Sequence, residues 1–178
     1  MRALIIVDVQ DDFCPGGALA VPNGDAVVEP INRMAREASL VVATRDWHPV
    51  DHGSFSSEGG PWPAHCVSDT PGAELHAGLD RGQIDAVVDK GQAPDREGYS
   101  GFEDTELERL LRERDVDAVD VAGLALDYCV KATALDARRA GFDVTVHRYA
   151  TRAVEVQPGD ADRAVEELRA AGVQVVDD

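Results

Sequence analysis

Four short runs rich in β-branched residues each lead into a side chain able to do chemistry. Residues 3–9 carry Asp8, and residues 40–44 lead into Asp46-Trp47-His48. Residues 86–89 deliver Lys90, and residues 116–123 lead through a short turn to Cys129. A thiol, a carboxylate to take its proton and a cation to hold that carboxylate are the parts of nucleophilic acyl transfer. Asp8 stands in the apolar context Leu4-Ile5-Ile6-Val7-Asp8-Val9, where a carboxylate is costly unless paired or used. Cys129 is expected in the first turn of a helix, where unpaired N–H groups and the helix dipole favour thiolate.

Three of the five histidines, His48, His52 and His65, lie within one stretch that also holds Asp46. Imidazoles with a carboxylate suit Zn2+, Fe2+ or Mn2+, and mixed nitrogen and oxygen donors do not separate these firmly. In an extended segment, Asp46 and His48 share a side. His65 sits among Pro61, Trp62 and Pro63, which restrict its backbone. His76 and His147 have no comparable context and read as structural.

These side chains can act together only if the strands that carry them share an edge. Between the runs, apolar residues recur at helical spacing. Val27, Val28, Ile31, Met34 and Ala35 mark a helix ending near residue 38, with Asp25 or a neighbour as its cap. Thr105 and Glu108 resemble a capping box before Leu107, Leu110 and Leu111. A further helix is expected over about 127–140, closed by Gly141, and another over about 160–171, closed by Gly172. Strands are expected at 84–89, 118–122, 143–146 and 173–176, besides the first two runs. Such alternation predicts an α/β fold: a single-domain, doubly wound, six-stranded parallel sheet over residues 1–178, with helices on both faces. Ligands of such sheets bind at the carboxyl ends of the strands. Residues 45–82, rich in Pro, Gly, Ser and His, form a loop too long to be an idle connection.

The 178 residues carry 34 acidic and 17 basic side chains, a net charge of −17. That balance argues against nucleic acid or an anionic membrane as partner. Lys90 and Lys131 are the only lysines, so one at a strand end stands out. The three cysteines, Cys14, Cys66 and Cys129, form no C-x-x-C pair and read as reduced thiols. With no secretory pattern at the start and no membrane-length apolar run, the expectation is a cytoplasmic protein. Oligomeric state is left open, a homo-oligomer included.

Taken as a set, the stretches ALIIVDVQDDFCPGGALAV (3–21), ATRDWHPVDHGSF (43–55), WPAHCVSDTPGAELH (62–76), YSGF (99–102) and VAGLALDYCVKATALDA (121–137) resemble the nicotinamidase/pyrazinamidase branch of the isochorismatase-like cysteine hydrolases. The resemblance spans nearly the whole chain. It implies Asp8 as general acid/base, Lys90 as its cationic partner and Cys129 as nucleophile. It also implies Asp46, His48 and His65 as ligands of one divalent metal ion, zinc first, with His52 a further candidate. The peptide at Leu124–Ala125 would be cis, and the N–H groups of Ala125 and Cys129 would form the oxyanion hole. Phe13, Trp62 and Tyr99 match aromatic positions around a pyridine pocket, while Tyr128 occupies a variable position. The implied reaction converts a small carboxamide, nicotinamide, to nicotinate and ammonia through a thioester, with pyrazinamide a second substrate. Two alternatives stand beside it: a metal-free amidohydrolase of carbamoyl or ureido compounds, and a non-catalytic α/β ligand-binding domain. Against the last, no G-x-G-x-x-G or phosphate loop follows the first strand; Val9-Gln10-Asp11-Asp12 stands there instead.

Overall fold

The computed structural model describes residues 1–177. Six parallel strands form one sheet in the order β3-β2-β1-β4-β5-β6. They are β1 (Arg2–Val7), β2 (Val41–Asp46), β3 (Ala86–Lys90), β4 (Ala118–Leu124), β5 (Asp143–Arg152) and β6 (Gln174–Val176). Helices α1 (Val28–Glu37), α2 (Leu107–Glu113), α3 (Lys131–Arg139) and α4 (Asp160–Ala170) cover it.

The apolar run of β1 follows from burial on both faces. Leu4 and Ile6 join Ile31 and Ala35 of α1 in one core. Ala3, Ile5 and Val7 join Leu107 and Leu111 of α2, Ala134 and Ala137 of α3, and Val165 and Leu168 of α4 in the other. From β1 the chain first winds toward β2 and β3, then crosses to β4 on the opposite side. The carboxyl end of β1 is therefore the switch point where a crevice opens. Gly123 is required there: at φ +123°, a Cβ would lie 2.1 Å from the Val7 carbonyl oxygen, so the two central strands could not approach.

Several boundaries depart from the sequence expectation. Strand β1 stops at Val7, and Asp8 is not inside it but in the left-handed region at φ 49°. Strand β3 begins two residues late and reaches Lys90 itself. Strand β5 runs to Arg152, six residues beyond the expected end, because its register against β4 slips between Val121 and Gly123. The first helix starts as a 3-10 turn at Gly24 after Asn23 at φ 53°, with no side-chain cap from Asp25. Only half of the capping box forms. Thr105 Oγ1 accepts from Leu107 N at 3.2 Å, whereas Glu108 faces outward to Arg112. No helix among the described residues is long and apolar enough to cross a membrane.

Candidate active site

Asp8, Asp46, Lys90 and Cys129 meet at the carboxyl edge of the sheet. Lys90 ends β3 directly opposite Asp46 at the end of β2. Its Nζ lies 2.5 Å from Asp46 Oδ1, 2.8 Å from Asp8 Oδ2 and 3.5 Å from Cys129 Sγ, and it donates to the Gly98 carbonyl at 2.8 Å. Thr44 Oγ1 donates to the other Asp8 oxygen at 2.7 Å. All four site residues are buried, so their charges interact strongly.

Burial would strip Lys90 of its proton, yet the two carboxylates outweigh it and hold the ammonium charged well above the ordinary lysine range. The carboxylates diverge. Burial, reinforced by the Asp46 charge, raises Asp8 against the pull of Lys90. Asp46 is equally buried, but Lys90 and His48 overcome that and keep it ionised far below the usual range. One carboxyl is thus held ionised while the other is pushed toward its protonated form, a divergence that suits acid/base work.

Cys129 lies in a π-helical turn, Leu126–Val130, that leads straight into α3. Val130 N and Tyr128 N both donate to the Ala125 carbonyl, at 3.0 and 3.1 Å. The expectation of a lowered thiol pKa fails here. Burial raises it well above the ordinary cysteine value, and Asp8 and Asp46 add to that against Lys90. Desolvation beside two carboxylates outweighs the partial charge of one turn. That direction favours the neutral thiol over the thiolate. The Leu124–Ala125 peptide is cis, and Ala125 and Cys129 both face the same pocket.

Asp46, His48 and His65 bring one donor atom each within 4.8 Å of one another. His48 Nδ1 bonds the Gly91 carbonyl at 2.7 Å, and His65 Nδ1 bonds the Pro63 carbonyl at 2.8 Å. With each Nδ1 carrying the proton, each Nε2 lone pair is left for a metal, the usual outer support of histidine ligands. Gly91 is needed at φ +64°, since a Cβ there would lie 2.5 Å from the His48 ring. His52 is not one of these three donors but packs against them. Its ring stacks on His48 with centroids 3.9 Å apart, and its Nδ1 pairs with Ser54 Oγ at 2.7 Å. Its Nε2 is buried without a hydrogen-bond partner, and burial lowers its pKa to about 4. His76 and His147 are remote: His76 Nδ1 accepts from Gly78 N, and His147 pairs with Asp120.

Beside the thiol, Phe13, Trp62 and Tyr99 wall a pocket enclosing about 380 Å³ of space, its mouth included. Trp62 Nε1 donates to the Tyr99 hydroxyl at 3.1 Å. Tyr128, from which the sequence allowed no inference, completes this wall, edge-on to Trp62 at 5.2 Å.

Two further residues escaped sequence reasoning. Gln10 is fully buried, and its amide accepts from Asp46 N and donates to Asp46 O, both at 2.8 Å. Its Nε2 also donates to Ala73 O at 2.8 Å. Because β1 stops at Val7, Asp46 has no neighbour on its β1 side, and the glutamine amide supplies the hydrogen bonds missing there. Asp127 accepts from Val154 N and Glu155 N, each at 2.9 Å, and so ties the turn that carries Cys129 to the segment that places Val154 in the pocket. A glutamine after a strand and an aspartate in a helix's first turn have many ordinary uses, so neither signalled its task.

Known proteins share this architecture. The chain is 47% identical to a nicotinamidase/pyrazinamidase of Mycobacterium tuberculosis over 187 residues, covering 99% of this chain and 98% of that protein. It superimposes with a TM-score of 0.91 on the pyrazinamidase of Pyrococcus horikoshii solved in complex with zinc, at 47% identity and 99% coverage of both chains. PnC1 from L. infantum, solved in complex with nicotinate, matches with a TM-score of 0.94 and 41% identity, covering 99% of this chain and 92% of that one. The family model described as the isochorismatase domain matches residues 2–178, and the chain belongs to that family.

Proposed function

We propose that this protein is a metal-dependent cysteine amidohydrolase that converts nicotinamide to nicotinate and ammonia and also accepts pyrazinamide. The observation that carries this reading is Lys90, whose ammonium contacts Asp8, Asp46 and Cys129 at once, beside an aromatic pocket. The thiol is the nucleophile, the raised Asp8 carboxyl is its base, and Lys90 keeps Asp8 charged enough to act. The similarity to proteins named nicotinamidase or pyrazinamidase along the whole chain supports the substrate.

In this mechanism Asp8 takes the Sγ proton as the thiolate attacks the carboxamide carbon. The N–H groups of Ala125 and Cys129 receive the developing oxyanion. Asp8 returns the proton to the departing ammonia, leaving a thioester on Cys129. Water then enters, Asp8 takes one of its protons, and nicotinate leaves as the thiol is restored. Phe13, Trp62, Tyr99 and Tyr128 hold the ring and exclude water.

Asp46, His48 and His65 fit a divalent cation by donor type, by spacing and by the carbonyls that hold each Nδ1. The buried, unpartnered His52 Nε2 makes it a fourth candidate. The donor set suits zinc, which the Pyrococcus horikoshii relative contains, and it also accommodates Fe2+ or Mn2+. Such a cation would act as a Lewis acid toward the pyridine nitrogen and orient the ring. A metal-free ureido hydrolase would leave this trio without a task. The test is ammonia release from nicotinamide before chelation, after it, and after zinc is restored. Loss and recovery of turnover are expected, and full turnover by the chelated protein refutes the metal's role.

A further inference from the structure

Two groups of ligand atoms meet at Asp46. Its carboxylate belongs with His48 and His65 in one, and with Asp8 and Cys129 in the other. In each group the donor atoms lie within 4.8 Å of one another. The second group, two carboxylates and a thiol, has the composition of a site for a thiophilic cation such as Zn2+ or Cd2+. A cation already stands among them. Lys90 Nζ contacts Asp8 Oδ2 at 2.8 Å, Asp46 Oδ1 at 2.5 Å and Cys129 Sγ at 3.5 Å. The buried Asp8 Oδ2 is held by this ammonium at 2.8 Å.

The geometry points to a latent second metal site formed by Asp8, Asp46 and Cys129, which the Lys90 ammonium keeps closed. This inference goes beyond the proposed hydrolysis and rests on it only in taking Asp46 as a ligand of the neighbouring trio. Proximity gives the closure its purpose. A metal drawn to Asp46, His48 and His65 needs only to exchange partners around one shared carboxylate to reach the nucleophile. There the S–H bond would break, a metal–sulfur bond would form, and the proton would leave to solvent with no change of oxidation state. The thiolate so bound could no longer attack a substrate. The ammonium opposes this by occupying the volume and repelling a second cation, while remaining close enough to serve Asp8.

The test is a Cd2+ titration of the full chain, read by equilibrium dialysis and by the ultraviolet charge-transfer band of a cadmium–thiolate bond. Wild type is expected to bind one equivalent without the band. Lys90→Ala is expected to bind two and to show it. The band and the second equivalent should vanish in Lys90→Ala/Cys129→Ser. Lys90→Ser, whose hydroxyl leaves the carboxylates a donor, is carried in parallel in case the alanine variant does not fold. A folded Lys90 variant that binds one equivalent and gives no band overturns the inference. So does a wild type that shows the thiolate band at the same cadmium concentration. If wild type takes up no cadmium but the band still emerges in Lys90→Ala, the Asp46–His48–His65 site is refuted and the latent one upheld.

Discussion

Gln10→Met separates the support of the site from its chemistry. Methionine keeps the length and bulk of the side chain but removes its donors and its acceptor. Asp46 N–H, Asp46 C=O and Ala73 C=O each lose a 2.8 Å bond in a fully buried place. A buried polar group left unsatisfied costs about 1–3 kcal/mol, so even the low end gives about 3 kcal/mol in total. At this chain length that corresponds to a melting temperature lowered by about 6–12 °C. The freed Asp46 also loses its fixed aim toward Lys90 and His48. Outer-shell losses of this kind weaken metal binding about 10–100-fold. The assays are thermal denaturation of the metal-free protein and zinc affinity measured against a competing chelator. A folded Gln10→Met that melts within about 2 °C of wild type, or holds zinc as tightly, would refute the reasoning.

Cys129→Ala should abolish ammonia release while circular dichroism and melting temperature stay near wild type, because a buried thiol is exchanged for a slightly smaller apolar group; turnover near normal would remove the nucleophile assignment. Asp8→Asn should leave the resting thiol without its base and lower kcat by at least about 100-fold, the usual contribution of a positioned base, as steady-state kinetics would register. Tyr128→Ala opens one wall of the aromatic pocket and should raise KM about tenfold, with little change in the fold, in line with about 1.4 kcal/mol of lost contact; an unchanged KM would take Tyr128 out of substrate binding. Far from the site, burial raises Asp120, but the His147 hydrogen bond at 3.1 Å and Arg2 at 2.8 Å outweigh it and leave its pKa below 3.8. Between the folded and unfolded values the unfolded chain binds the extra proton, so this contribution is present above pH 3.8 and is lost as pH falls through the folded value. Asp120→Asn should therefore melt lower than wild type at neutral pH and converge with it in strong acid; a gap that persists there would contradict the linkage.

The legible part of this protein lies where sequence periodicity and burial coincide. Both faces of β1 are covered, so its run of apolar residues announced a central parallel strand. The positions of Asp8, Lys90 and Cys129 at the ends of such runs indicated one shared edge, because the carboxyl ends of parallel strands share that edge. The spacing of Asp46 and His48, with His65 set beside Pro61 and Pro63, marked a metal-type cluster. Motif resemblance gave roles to these residues and was the sole pointer to Phe13, Tyr99 and Ala125.

Less legible were features set by contacts across the fold. The register slip that lengthens β5 depends on how β4 passes Gly123, which no local pattern records. Gln10 acts because β2 runs two residues past the last pair with β1, Val7 with Thr44, and Asp127 acts because residues 154 and 155 return to it. Both are ordinary polar residues in their own segments. The sequence alone determined which elements form and which reactive groups they carry, since hydrophobic spacing and strand ends are local properties of the chain. Only the tertiary structure decided their protonation and partners. It buries two carboxylates, an ammonium and a thiol together, and at that depth the sum of desolvation and neighbouring charge overrides the dipole of a single helical turn.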